Sequence, residues 1–298
     1  MNSTPVSKFR YMVLYGMLCL VTLSKANPPK IKIDTTRGLQ YVIQFPVEVF
    51  VNFYKQGIAP FKATKQQWLI GSAVTAASFA LIPADPNIDE VVKPLKHEHH
   101  FIEQVSPVIT EGGGNYIVFP VAVFALVGVF DKKPKMVETG LMALQAAIHA
   151  GVWIRVGKSV SGRERPSAAY KSGVIGGNWC GPRLKNIWGG ASVDAFPSGH
   201  TGTAFSIATV FAKQYNETPW VPIIAYSAAT LVGITRLTEH THWASDVLLG
   251  GAVGYACARQ VWKSHQLKAK AAKSSVSNIE VNPIFGKNIC AISARMSF

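Results

Sequence analysis

The stretch PSGHTGTAFSIATVFA, residues 197–212, sets a four-residue turn directly against an apolar run. Pro197 and Gly199 punctuate the chain, and Ser198 belongs to a residue type that caps helices. From Thr201 to Ala212 the residues are small or apolar and uncharged, so a helix starts just after His200. A helix start leaves backbone N–H groups without partners, so the amides of Ser198 and Gly199 can point at an anion. His200 then stands where an imidazole can donate a proton to a departing oxygen. By itself the tetrapeptide is just as consistent with an ordinary capping turn.

Two further clusters lie outward from this turn, each at the end of a predicted apolar helix. Before it come Lys158 and Arg165-Pro166; after it come Thr235-Arg236, His242 and Asp246. The planar forks of Arg165 and Arg236 suit two phosphoryl oxygens at once, and Lys158 adds a point charge. Pro166 stops a helix from continuing through Arg165 and so directs its guanidinium. His242 and Asp246 are four positions apart, one helical turn on the same face. A carboxylate there can hold one ring nitrogen as a donor and leave the other to attack phosphorus. Singly, each cluster reads as a solvated cation or a surface pair. Together they hold three cations for phosphoryl oxygens, two imidazoles for nucleophile and acid, and a carboxylate to orient one ring.

The order and internal spacing of these clusters resemble the tripartite signature of the type 2 phosphatidic acid phosphatase and vanadium-dependent haloperoxidase superfamily. The signature runs Lys158, six residues, Arg165-Pro166; Pro197-Ser198-Gly199-His200; Thr235-Arg236, five residues, His242, three residues, Asp246. Thr235 stands where Ser is commoner and keeps the hydroxyl. The resemblance covers roughly Gln67 to Trp262. It implies an all-α core bundle and a metal-independent reaction through a phosphohistidine. Carried over by position, His242 is the nucleophile, Asp246 its orienting partner and His200 the general acid. Lys158, Arg165, Arg236 and the Ser198 and Gly199 amides hold the phosphoryl group. No cofactor is implied; vanadate enters as a phosphate mimic or in a haloperoxidase. The substrates implied are a lipid-linked phosphate or diphosphate, with a secreted acid phosphatase of broad specificity as the second reading.

Periodicity places six helices, at Gln67–Ile82, Tyr116–Phe130, Val137–Val156, Thr201–Ala212, Val221–Ile234 and Ala244–Trp262. The expected organisation is a signal at 1–26, an irregular arm at 27–66, a helical domain at 67–262 and a basic tail at 263–298. Pro83, Pro86 and Pro94 end the first helix, and Gly112-Gly113-Gly114 reads as a flexible lead into the second. A loop of about forty residues separates the third and fourth helices, long enough to expect a function of it. In the tail, Ile292, Ala294, Met296 and Phe298 alternate with polar residues. That pattern fits a strand of a short β-hairpin pairing with Ser277 to Val281 through a turn at Asn282-Pro283, or a frayed end.

Hydrophobic residues make up 48% of the 298 and charged residues 15%, with a net charge of +14. The charge invites anionic partners: a phosphorylated lipid or small molecule, or an anionic membrane surface. No Arg-rich or aromatic-interleaved motif points to nucleic acid. Oligomeric state is not legible. Mean hydropathy is only +0.19, low for a chain made mostly of membrane spans. Lys8 and Arg10 before the apolar stretch Tyr11 to Leu23 resemble an export signal. The positive-inside rule places the site outside the cytoplasm, whereas an exported Asn27 in a polytopic chain places it inside. The reading that meets both is an exported helical bundle in a bacterial cell envelope, soluble or resting against a membrane. An integral membrane protein with a periplasm-facing site is the alternative. Elsewhere, His97, Glu98, His99 and His100 read as a solvated loop, His149 as a satisfied core histidine, Glu239 and His240 as loop residues. Arg163 and Glu164 read as paired with each other or with solvent.

Overall fold

A computed structural model describes residues 37–183, 192–276, 279–286 and 289–296. The signal at 1–26, residues 27–36 of the arm, and Ser277 and Phe298 of the expected hairpin lie outside the described residues. The chain is a helical bundle. Its first helix, α1 (Arg37–Ile58), occupies most of the segment expected to be an irregular arm. The sequence here breaks into short apolar patches between Pro and Lys residues. Helical spacing instead turns Phe45, Val49, Asn52, Phe53 and Gln56 inward and leaves Val47 and Val51 exposed. The inward face packs on α7 (Pro134–Ser161), where Phe53 stacks on Trp153 at 5.3 Å between ring centroids. Gln145 Nε2 donates to Glu48 O at 2.7 Å, and His149, fully buried, has Nε2 3.0 Å from Val49 O.

Helix α2 (Lys65–Leu81) starts at a capping box: Thr64 Oγ1 accepts from Gln67 N at 3.3 Å, and Gln67 Oε1 accepts from Thr64 N at 2.9 Å. Beyond it, three helices stand where the prolines suggested loop: α3 (Asp85–Val92), α4 (Leu95–Glu98) and α5 (His100–Gly113). Pro86 lies in the first turn of α3, where a missing N–H has no helical acceptor to disappoint. Then come α6 (Val118–Phe130), α7, the short α8 (Pro166–Ser172), α9 (Gly199–Gln214), α10 (Trp220–Thr238) and α11 (Ala244–Val276). Helix α11 continues through the Lys/Ala-rich stretch that was read as tail. The final residues form two antiparallel strands, β1 (Ile279–Gly286) and β2 (Ile289–Met296), with Ile279 opposite Met296. Asn282 and Pro283 lie within β1 rather than at a turn.

Helix α9 is central, packed against α7, α10 and α11. The core between α6, α7, α9 and α11 is built from Val121, Met142, Ala143, Ala146, Ile207, Val210, Ala258 and Val261. Its many alanines allow close helix approach, and glycines allow closer still. A Cβ on Gly250 would overlap the carbonyl oxygen of Ser198, and one on Gly254 that of Gly202. Gly250 and Gly254 are one turn apart on α11, so they form the seat on which the turn at 197–200 and the start of α9 rest.

Much apolar surface faces outward. Trp68, Leu69, Ile70 and Phe79 on α2, and Trp220, Ile223, Ile224, Leu231 and Ile234 on α10, are exposed. Two stretches, Lys65–Val92 and Trp220–Thr238, are long and apolar enough to cross a membrane by length and composition. Gly254→Ala should lower stability by about 1–3 kcal/mol, because the methyl group meets backbone rather than a side chain able to swing away. Thermal unfolding against wild type measures this, and an unchanged midpoint would show that α9 and α11 can separate without cost.

Candidate active site

Helix α7 delivers Lys158 in its last turn and ends at Gly162, whose φ of +54° suits a residue without Cβ; its N–H donates to Lys158 O at 3.0 Å. Arg165 then sits at the N-cap of α8 with Pro166 as the first helical residue. The proline thus opens a helix after Arg165. Two backbone bonds, Arg165 N to Ser192 O and Ala195 N to Arg163 O, both 2.9 Å, lay this segment beside the approach to the turn at 197–200. Asp194 knits the two together. Its backbone carbonyl accepts from Lys158 Nζ, its Oδ1 accepts from Arg165 Nε at 2.7 Å, and its Oδ2 lies 3.6 Å from Lys158 Nζ. Sequence reasoning passed over Asp194; its place three residues before Pro197 was the available signal.

A backbone hydrogen bond, Ser198 N to Asp246 O at 2.9 Å, joins the second cluster to the third. This corrects the expectation that the Ser198 amide points at an anion, since the carbonyl of α11 already takes it. Ser198 Oγ pairs with Thr201 Oγ1 at 2.9 Å. Gly199 is the first residue of α9, a position whose N–H has no intrahelical acceptor. At the end of α10, Arg236 O accepts from Thr241 N, Thr241 Oγ1 and His242 N at 3.0–3.3 Å, which curls the loop and brings His242 back under Arg236. The Arg236 guanidinium meets Glu239 Oε2 at 2.8 Å.

His242 Nδ1 lies 3.5 Å from Asp246 Oδ2 and makes no hydrogen bond among the described residues. Asp246 is firmly held: Oδ2 accepts from Trp243 N at 2.8 Å and Oδ1 from Arg163 NH1 at 2.8 Å. Arg163 is therefore neither solvated nor paired with Glu164. It is fully buried between Asp246 and Asp85 and faces the rings of Trp179 and Trp243 at 4.9 and 5.2 Å. The Glu164 carboxylate instead accepts from Ser172 Oγ, Asn178 N and Asn178 Nδ2 at 3.0–3.1 Å, pinning the long loop.

His200 takes the first turn of α9. A Cβ on Gly114 would lie 2.6 Å from His200 Nε2, so the glycine before α6 leaves the imidazole its space. His240, at φ +55°, sets Nδ1 2.8 Å from Asp89 Oδ1 and its ring 4.8 Å from that of Tyr170. His99 and His100 are exposed, and no group of three or more potential metal ligands occurs among the described residues.

The electrostatics record how tightly these groups are gathered. Burial drives the His242 imidazole well below its ordinary value, and Lys158, Arg165, Arg236 and His200 push it the same way. Burial together with Arg236, Lys158 and Arg165 lowers His200 to about 3. Burial lowers Lys158 to about 8 against the pull of Asp194, and raises Asp246 to about 6 against that of Arg163. A dianion entering here would meet several buried positive charges, and its own charge would oppose the field that keeps His200 neutral.

Residues 139–270, which contain all three clusters, match the family model described as the PAP2 superfamily. A curated relative, the lipid A 1-phosphatase of Porphyromonas gingivalis, is 47% identical over 66 residues, 22% of this chain and 15% of that protein. The chain's match thus spans a small part of that relative's length. Two solved structures are among those that the chain matches. One is the first transmembrane PAP2 type phosphatidylglycerolphosphate phosphatase from Bacillus subtilis, at 24% identity and a TM-score of 0.48, covering 76% of this chain and 97% of that one. The other is LpxE of Aquifex aeolicus, at 21% and 0.42, covering 58% and 93%. Binding of inorganic phosphate should raise the pKa of His200, because the anion offsets the three cations that depress it. NMR titration of the histidine ring protons with and without phosphate checks this, and an unmoved His200 would separate it from the anion site.

Proposed function

From a chain whose residues 139–270 match the PAP2 superfamily, we propose a phosphatase that hydrolyses a phosphate ester or diphosphate through a phosphohistidine on His242. The observation that carries the reading is the shared field at His242: cations from three separate elements, Lys158, Arg165 and Arg236, together with His200, all act on one buried ring. His242 Nδ1 faces Asp246, which leaves Nε2 for phosphorus. A depressed pKa keeps that nitrogen unprotonated and nucleophilic.

In the first step the lone pair of His242 Nε2 forms the P–N bond as the P–O bond to the leaving group breaks. Lys158, Arg165, Arg236 and the N–H groups at the start of α9 hold the three equatorial oxygens. Protonated His200, its acidity weakened by the bound anion, gives its proton to the departing alkoxide. In the second step neutral His200 takes a proton from water, whose oxygen attacks phosphorus. The P–N bond breaks, and phosphate leaves. Asp246 stabilises the positive charge that develops on His242 and returns it to the starting orientation.

A lipid-linked substrate is supported by the outward apolar faces of α2 and α10. Such faces let the bundle rest against or in a membrane, so that an anionic headgroup reaches the cations while its chains stay in an apolar phase. The matched segment of a lipid A 1-phosphatase supports the same class of substrate. We place the enzyme in the bacterial cell envelope with its site facing the periplasm.

His242→Ala should reduce phosphate release from a panel of lipid and soluble phosphates by about 10⁴-fold or more, with the helical circular-dichroism spectrum unchanged. A chelator should leave wild-type release intact. Substantial turnover by the alanine variant would remove His242 from the nucleophile role, and abolition by chelator would defeat the metal-free route.

A further inference from the structure

Helix α3 lies outside both the three motifs and the matched residues 139–270, yet it sends a fully buried carboxylate to the back of the site. Asp85 Oδ2 accepts from Arg163 NH2 at 2.7 Å and from Ser245 Oγ at 2.5 Å, and Asp85 Oδ1 accepts from Ser245 N at 2.9 Å. Arg163 NH1 donates to Ser245 Oγ at 2.7 Å and to Asp246 Oδ1 at 2.8 Å. One guanidinium is thus clamped between two carboxylates, with the Ser245 hydroxyl bridging the same groups. Arg163 Nε has no hydrogen-bond partner among the described residues, and Gly176 O at 3.3 Å from NH2 is a long contact. The placement of the guanidinium therefore rests chiefly on Asp85, Ser245 and Asp246.

Ser245 N belongs to the first turn of α11, where an N–H has no acceptor within the helix and a negative charge is favoured. By taking that N–H and the guanidinium together, Asp85 sets the backbone at the start of α11 and the side chain that reaches Asp246. Asp246 Oδ2 in turn lies 3.5 Å from Nδ1 of His242, which sits in the loop two residues before α11. We propose that Asp85 is a positioning residue for phosphoryl transfer: with Arg163 and Ser245 it fixes the Asp246 carboxylate behind the His242 ring. The inference rests on the reading of His242 as the nucleophile. Asp85 touches neither the cations nor the imidazoles that would meet substrate in any contact described above, so its removal should affect the chemical step and spare substrate binding.

Asp85→Asn keeps the shape and one good acceptor and removes the charge. On a substrate that wild type hydrolyses, its kcat should fall about 10- to 100-fold while KM and the inhibition constant of inorganic phosphate stay within about twofold. Arg163→Lys should lose a similar factor, and the double variant should be little worse than the poorer single one, since the two residues act as a unit. Ser245→Ala leaves both ion pairs in place and should lose only a few-fold; it serves if Asp85→Asn fails to fold by circular dichroism and thermal unfolding. An Asp85→Asn enzyme with kcat within twofold of wild type, equal losses in kcat and in binding of inorganic phosphate, additive losses in the double variant, or a folded Ser245→Ala enzyme with full kcat would each overturn the proposal. Wild type without turnover on any phosphate would sink the proposed function itself, and with it this inference, an outcome distinct from an active wild type beside an undiminished variant.

Discussion

Burying several cations beside two imidazoles in an apolar bundle is costly unless each charge is countered or used. Every other feature of the site answers that constraint. Asp194 binds Lys158 and Arg165 from one side, Glu239 meets Arg236, and Arg163 is divided between Asp85 and Asp246. The carboxylates hold the cations in place without cancelling their effect at the imidazoles: burial drives His200 and His242 toward the neutral form, and Lys158, Arg165 and Arg236 still add to it. The residual positive field is what an incoming phosphoryl group would satisfy.

Backbone packing serves the same end. The turn at 197–200 cannot sit against α11 unless that helix lacks side chains at Gly250, and α9 cannot cross it closely without Gly254. Close approach lets Ser198 N reach Asp246 O, so a main-chain hydrogen bond ties the element carrying His200 to the element carrying the partner of His242. Gly157 does the same on the other side, where a Cβ would lie 2.7 Å from Pro197 Cδ. Glycines at these crossings are thus requirements of the site as much as of the bundle.

Several helices were legible because their apolar residues are uninterrupted: the cores of α2, α6, α7, α9, α10 and α11 all lie where periodicity put them, with ends shifted by a few residues or, for α11, extended to Val276. Helix α1 is not legible in the sequence because Pro, Lys and short apolar patches read as an irregular arm, and only contact with α7 draws one helical face inward. Helices α3 to α5 are not legible in the sequence because proline reads as a terminator, although Pro86 occupies a first turn where it is tolerated. Arg163 was misread for a related reason: beside Glu164, a local pairing looked sufficient.

The sequence alone determined the chemical inventory and its order: which residues can carry positive charge, which can attack or protonate, and that each stands at the end of an apolar helix. Those properties are local, set by side-chain type and by the few residues on either side. Only the tertiary structure decided that the Ser198 amide is spent on Asp246, that Gly114 yields space to His200, and that Asp85 shares Arg163 with Asp246. These depend on groups far apart in the chain competing for the same donors, acceptors and volume, and the winner is chosen by how the helices cross.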